Sequence, residues 1–168
     1  MNEAIERAHR EGILTTTSLM VAADATADAL KRAKRTPTLN IGLHVVVVNG
    51  RPILPPETVP DLVDARGAFP RDLFRAGVHY YFNARARRQL EAEIRAQFEA
   101  FRRTGLRFDH VNAQNHMHVH PTIFGLITRI GREYGVRAVR IPHEPFWPSW
   151  RSNRDALAGR LATAAFLA

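Results

Sequence analysis

Four consecutive valines, Val45 to Val48, close an apolar segment that begins at Leu39. An apolar run without polar alternation suits a strand buried on both faces, and such strands belong to parallel sheets covered by helices. Parallel strands need long crossovers, usually helical, and the chain supplies them. Ile13 to Val21 is rich in β-branched residues and reads as a first strand. Ala25 to Arg35 follows as a helix, with Asp24 placed to cap it and Pro37 just beyond its end. After the second strand, Leu39 to Val48, residues 49–84 read as a long irregular excursion, marked by Asn49-Gly50 and by Pro52, Pro55, Pro56 and Pro60. Arg85 to Arg103 is the clearest helix, with Leu90, Ile94, Phe98 and Phe101 in one stripe and Gly105 as its stop. A third strand is expected near 107–119. Pro121 then opens a helix with Ile123, Ile127, Ile130 and Tyr134 on one face. Val136 to Ile141 reads as a fourth strand. Residues 2–11, with Ile5 and Ala8 turned to the strands, and residues 153–168 are the outer helices. The pattern is α/β with parallel strands, the first two adjacent because short right-handed crossovers join neighbours.

Composition narrows the classes of function. The chain has 168 residues, 45% of them hydrophobic, which suffices for one domain with a core. It has no cysteine, so thiolate catalysis, disulfides and Cys-zinc sites are excluded. The net charge is +8, but the basic residues are spread over several helices rather than gathered with aromatics, so no nucleic-acid partner is expected. No apolar run approaches the ~18–20 residues of a transmembrane helix. The first residues lack the apolar core of a signal peptide, and a cytoplasmic location is expected.

Chemistry concentrates in Phe108 to Pro121, where four of the eight histidines fall: His110, His116, His118 and His120. Read as a strand, its side chains alternate between faces. His116, His118 and His120 would then share a face with His110, Asn112 and Gln114, while Val111, Ala113, Met117 and Val119 form the apolar side, Asn115 being its exception. A lone histidine is usually only hydrogen-bonded. An H-x-H-x-H run ending at a strand-to-helix junction reads instead as a polar site wall, with or without a metal. His44, inside the other apolar strand, needs a partner for its ring.

Gly42-Leu43-His44, the loop containing Leu62-Val63-Asp64, the run from His110 to Pro121, and Arg140-Ile141-Pro142-His143-Glu144-Pro145 together resemble the YdjC/ChbG carbohydrate deacetylase family. The wording around Asn112 is most similar to its hopanoid-biosynthesis branch, HpnK. The resemblance covers nearly the whole chain. It implies an irregular, TIM-barrel-like (β/α) barrel of the glycoside hydrolase/deacetylase type. Here that would be a partial barrel lacking the first and last strands, as a single deacetylase-like domain over residues 1–168.

The resemblance also implies a divalent metal, Mg or Zn, held by one carboxylate and two histidines, and a nearby carboxylate base that acts in hydrolysis of an N-acetyl group. Carried over by position, His44 matches the first metal histidine and Gln114 stands where the family has the second. His116 and His118 are the neighbouring candidates. Asn112 stands where most of the family has Asp, and Asn112, Arg140 and His143 are the expected substrate contacts. The family's acidic pair would lie ahead of Met1, so no catalytic carboxylate is assigned, and metal binding by these residues is expected to be weak. The implied substrate is a small molecule or oligosaccharide carrying an N-acetylated sugar, or a glycosylated hopanoid. Homo-oligomerisation is expected through exposed sheet edges and the apolar C-terminal end. Two other readings stay open: a family member that only binds a glycan or a partner, and a basic scaffold for nucleic acid or lipid surfaces.

Overall fold

The computed structural model describes residues 1–142. The elements are α1 (Asn2–Glu11), β1 (Thr16–Leu19), α2 (Thr26–Arg35), β2 (Asn40–Val45), α3 (Leu73–Phe82), α4 (Ala84–Arg103), β3 (Val111–Ala113) and α5 (Pro121–Glu133), with 3-10 turns at Pro56–Thr58 and Gln114–Val119. The three strands form one parallel sheet in the order β1-β2-β3. A single parallel bridge, Val111 to Val139, adds the next segment beside β3. There the Val111 N–H donates to Ala138 O and the Arg140 N–H donates to Val111 O. The fourth strand expected over 136–141 is thus reduced to one bridge. The helix expected over 153–168 lies outside the described residues.

The two faces of the sheet differ in kind. Leu19, Ile41, Leu43, Val45, Val111 and Ala113 share the buried face, and Leu43, Val45 and Val111 are wholly inaccessible. They pack with the inner stripes of α4 and α5: Leu90, Ile94, Phe98 and Phe101 from one, Ile123, Ile127 and Ile130 from the other, all fully buried. Both stripes follow the spacing that the sequence shows. The opposite face carries Thr16, Ser18, Gly42, His44 and Asn112, since Ser18 lies beside Gly42 and His44 beside Asn112 in the ladder.

Several expectations need correction. Residues 107–119 do not form one strand: β3 ends at Ala113 and the chain turns into a 3-10 segment. Asn115 and His116 adopt φ of 50° and 56°, a left-handed pair that breaks the two-residue alternation. β2 stops at Val45, although Val46 to Val48 are buried as expected. The excursion over 49–84 contains a full helix, α3, whose N-cap Asp72 accepts from the Arg75 N–H. Asn83 then caps α4 through the Arg85 and Ala86 N–H groups. In α1, Ile5 packs on the core but Ala8 is exposed, because α1 leans on α2 through Glu6 and Arg32. Asp24 does not cap α2, whose N-cap is Ala25.

The end of β2 is held from α4. Gln97 accepts from the Val46 N–H at 2.9 Å and donates to Val46 O at 2.7 Å. It also donates to Glu93 at 2.7 Å, and the Glu93 carboxylate accepts from the Ile53 and Leu54 N–H groups at 2.9 and 3.0 Å. Both side chains are buried. Tyr80 of α3 donates to Val47 O at 2.8 Å. Burial without a charge partner raises its phenol pKa. Gln97→Leu would strand two buried backbone groups and one carboxylate oxygen, so it should cost about 2–4 kcal/mol in urea denaturation. A loss below about 1 kcal/mol would show that the clasp is replaceable.

Candidate active site

The polar residues of the open sheet face gather at the carboxyl ends of β2 and β3, the usual location of sites in parallel α/β folds. His44 is half-buried. Its Nδ1 lies 2.7 Å from Asn112 Oδ1 and its Nε2 lies 2.9 Å from Gln114 Oε1. Asn112, 7% exposed, donates through Nδ2 to Ser18 Oγ at 3.0 Å. Ser18 Oγ lies 3.0 Å from His110 Nε2, and His110 Nδ1 lies 2.9 Å from Asp109 Oδ2. His110 fits against β2 because residue 42 is glycine. A Cβ there would lie 2.4 Å from His110 O and 2.6 Å from its ring.

The other histidines take separate places. His116 is exposed, and its ring meets His118 edge-on at 5.8 Å between centroids. His118 is 1% exposed, and its Nδ1 accepts from the Ala113 N–H at 3.0 Å. That bond closes the 3-10 turn and leaves the hydrogen on the buried Nε2. His120, the extended residue ahead of Pro121, bonds Gly77 O at 3.1 Å. Arg140 is exposed beside β3, and His143 lies outside the described residues. The structure therefore joins His44, Asn112 and Gln114, and separates His118 and His120 from them through the left-handed pair. The single polar face expected to run from His110 to His120 ends at Gln114.

Among the described residues no three His, Cys, Asp or Glu side chains converge to hold one ion. One imidazole and two neutral amides are a poor donor set for a borderline divalent metal. The residues present do not fit the ion that the family resemblance implies. What the cluster offers is one imidazole with two carboxamides about it: donors and acceptors for a polar, uncharged group, and one ring able to take or give a proton.

Sequence reasoning named His44, Asn112 and Gln114 but missed Ser18 as a partner of that cluster. Its signal was the strand register, which only pairing reveals. Glu93 and Gln97 were also missed. Their signal was visible, as two polar residues four apart on the buried flank of an apolar stripe.

Burial holds the His118 and His120 pKa values below the usual histidine value of 6.5. For His118 the nearby His116 adds to the depression, and for His120 the Gly77 carbonyl opposes it. The folded chain takes up protons on both rings at lower pH than the unfolded chain, which protonates them near pH 6.5. Their contribution to stability is complete above that value and is lost as pH falls below it. Urea denaturation at pH ~7.5 and ~5.5 should show lower stability at the acid value. His118→Asn, which keeps an acceptor for the Ala113 N–H, should reduce the difference. An equal difference in that variant would place the pH dependence elsewhere.

A family model described as YdjC-like protein matches residues 1–168. The chain is 36% identical over 142 residues to a carbohydrate deacetylase of Brevibacillus brevis, covering 84% of this chain and 54% of that protein. It is 33% identical over 145 residues to a carbohydrate deacetylase of Geobacillus stearothermophilus, covering 86% and 54%. Among solved structures, one described as a cellobiose-phosphate cleavage protein of Enterococcus faecalis superposes with a TM-score of 0.72 at 27% identity, covering 86% of this chain and 54% of that one. The chain spans about half the length of the curated relatives it matches.

Proposed function

The chain belongs to the YdjC-like protein family, and on that premise we propose that its polar sheet face serves a carbohydrate N-deacetylase, holding the acetamide of an N-acetylated sugar for hydrolysis. In that reaction water adds to the amide carbonyl, the C–N bond breaks, acetate leaves and the sugar amine takes a proton. The observation that carries the reading is the contact of His44 with Asn112 and Gln114 at the ends of β2 and β3. An acetamide is a neutral donor–acceptor pair, and carboxamides complement it without leaving a charge unpaired. His44 is the one imidazole in contact with both carboxamides. The partial TIM-like barrel is part of the same proposal. The parallel sheet and the helices against its apolar face are consistent with it.

Calorimetry with N,N'-diacetylchitobiose and its deacetylated counterpart tests the reading. The acetylated sugar should bind more tightly, and His44→Ala should weaken it by roughly tenfold, the worth of about one hydrogen bond to a group able to carry charge. Equal affinity for both sugars would contradict it.

The metal enters this proposal only as weakly held. Titration with zinc should find no site tighter than about micromolar, because affinity follows ligand number and geometry. Gln114→His adds a second imidazole beside His44 and should tighten binding by about tenfold or more. Tight binding to the unaltered chain would mean that other donors complete the site.

The narrower reading, a sugar carried on a hopanoid, has support in two places. Asn112 carries the amide of the branch that the sequence resembles, where most of the family has Asp. Helix α3 also exposes Phe74 (80%) and Phe82 (76%) along a shallow groove of about 660 Å³, shared with Val78 and His79. An apolar aglycone would cover that surface. Phe82→Ser should weaken binding of a glycosylated triterpenoid and leave chitobiose binding unchanged. Equal loss for both ligands would remove the hopanoid from the proposal.

A further inference from the structure

A line of hydrogen bonds crosses the polar face from Asp109 to Gln114, and its direction is not arbitrary. Asp109 Oδ2 only accepts, so His110 Nδ1 carries the hydrogen in their 2.9 Å contact. A neutral His110 then presents a bare Nε2, and the Ser18 hydroxyl donates to it at 3.0 Å. Ser18 Oγ in turn accepts from Asn112 Nδ2 at 3.0 Å. That fixes the Asn112 amide with Oδ1 toward His44, 2.7 Å from Nδ1. An amide oxygen only accepts, so His44 Nδ1 carries the hydrogen and Nε2 is bare. We infer that Asp109, acting through His110, Ser18 and Asn112, sets the tautomer of His44 and leaves its unprotonated Nε2 facing Gln114.

The inference rests on His44 being the working ring of the proposed site. Its consequence for the last member is direct. Gln114 Oε1 stands 2.9 Å from Nε2, so a bare Nε2 requires the Gln114 amide to turn over and present its NH2 to the ring. The two ends of a carboxamide have the same outline, and the turn costs no rearrangement. Residues 18, 109 and 110 are positioning residues here; none of them touches a substrate in this scheme. Thr16 Oγ1 donates to Asp109 Oδ2 at 3.3 Å and steadies the origin of the chain.

The line has a second self-consistent arrangement, which makes the role of the carboxylate testable. If His110 carried its hydrogen on Nε2, Ser18 would accept from it and donate onward. Asn112 would then turn over, His44 would hold its hydrogen on Nε2, and Gln114 Oε1 would accept from it. Only a group that accepts and never donates at position 109 excludes that arrangement. Asp109→Asn restores the choice with almost no change of shape. Ser18→Ala cuts the line while leaving Asp109 and His110 in place.

Long-range 1H–15N correlation spectra of the 168-residue chain, without metal or sugar, report the tautomer of each ring at pH ~8, where unperturbed histidines are neutral. In the unaltered chain His44 should be the Nδ1–H form by about tenfold or more, the preference expected of a charge-assisted bond at the head of the line. Asp109→Asn and Ser18→Ala should each bring the two forms within about threefold of one another, with His118 unchanged as Nε2–H. Asp28→Asn, a carboxylate on α2, should leave the His44 signals as they were. A merely structural role would lower the denaturation midpoint and leave the tautomer alone. An Nε2–H His44 in the unaltered chain overturns the inference without recourse to any variant. So does a His44 that stays Nδ1–H in both folded variants. Because no substrate enters the measurement, its failure is distinct from failure to bind or deacetylate a sugar.

Discussion

The carboxamide of Gln97 closes on both polar groups of the Val46 backbone, and much of the molecule hangs from that contact. A strand that ends inside a core leaves a peptide group with no ladder partner, and such a group is costly when buried. Here a side chain from α4 takes the place of the missing strand. The same amide reaches Glu93, whose carboxylate receives the backbone of Ile53 and Leu54. The exit of β2, the longest helix and the start of the long loop are thereby locked together. His44 sits two residues before the clasp, so the position of the candidate ring is set by core hydrogen bonding rather than by the loop above it.

The division of the sheet into an apolar and a polar face gives the site its character. On one side Leu43, Val45 and Val111 meet the helices with no exposed surface. On the other, serine, histidine and carboxamide side chains bond to one another across three strands. The carboxylate of this line stands at its far end, at Asp109, and the groups nearest the strand ends are neutral. A cluster of that kind orients more than it attracts. It can select a neutral donor–acceptor group and hold one ring in a defined state, whereas a cationic ligand would find its countercharge only at Asp109, at the far end of the line.

The sequence made some levels of this structure legible and hid others for physical reasons. The apolar stripes of α4 and α5 follow a 3.6-residue period, and residues 90, 94, 98, 101, 123, 127 and 130 are buried as that period requires. The parallel order of the first strands followed from an uninterrupted apolar run and helical crossovers. The histidine run misled because alternation was extended through Asn115, where the backbone turns left-handed. Asparagine tolerates that conformation better than most residues, and its place on the otherwise apolar side was the visible warning. Helix α3 was hidden among prolines and turn residues whose caps, Asp72 and Asn83, look like loop residues until the bonds they accept are seen. Ser18 could not be named from the chain alone, because its partners lie more than ninety positions away and meet it only through strand register.

If the ends of β2 and β3 form the sugar-acetamide site, a bound sugar must perturb those residues first. Backbone and side-chain amide shifts, followed by NMR while N,N'-diacetylchitobiose is added to the 168-residue chain, test it most directly. The largest changes should fall at His44, Asn112 and Gln114, with the side-chain NH2 signals of both amides moving and the Gln97 signals still. Changes centred on the arginines of α2 and α4, or none at these three residues when the sugar is in large excess, would contradict it.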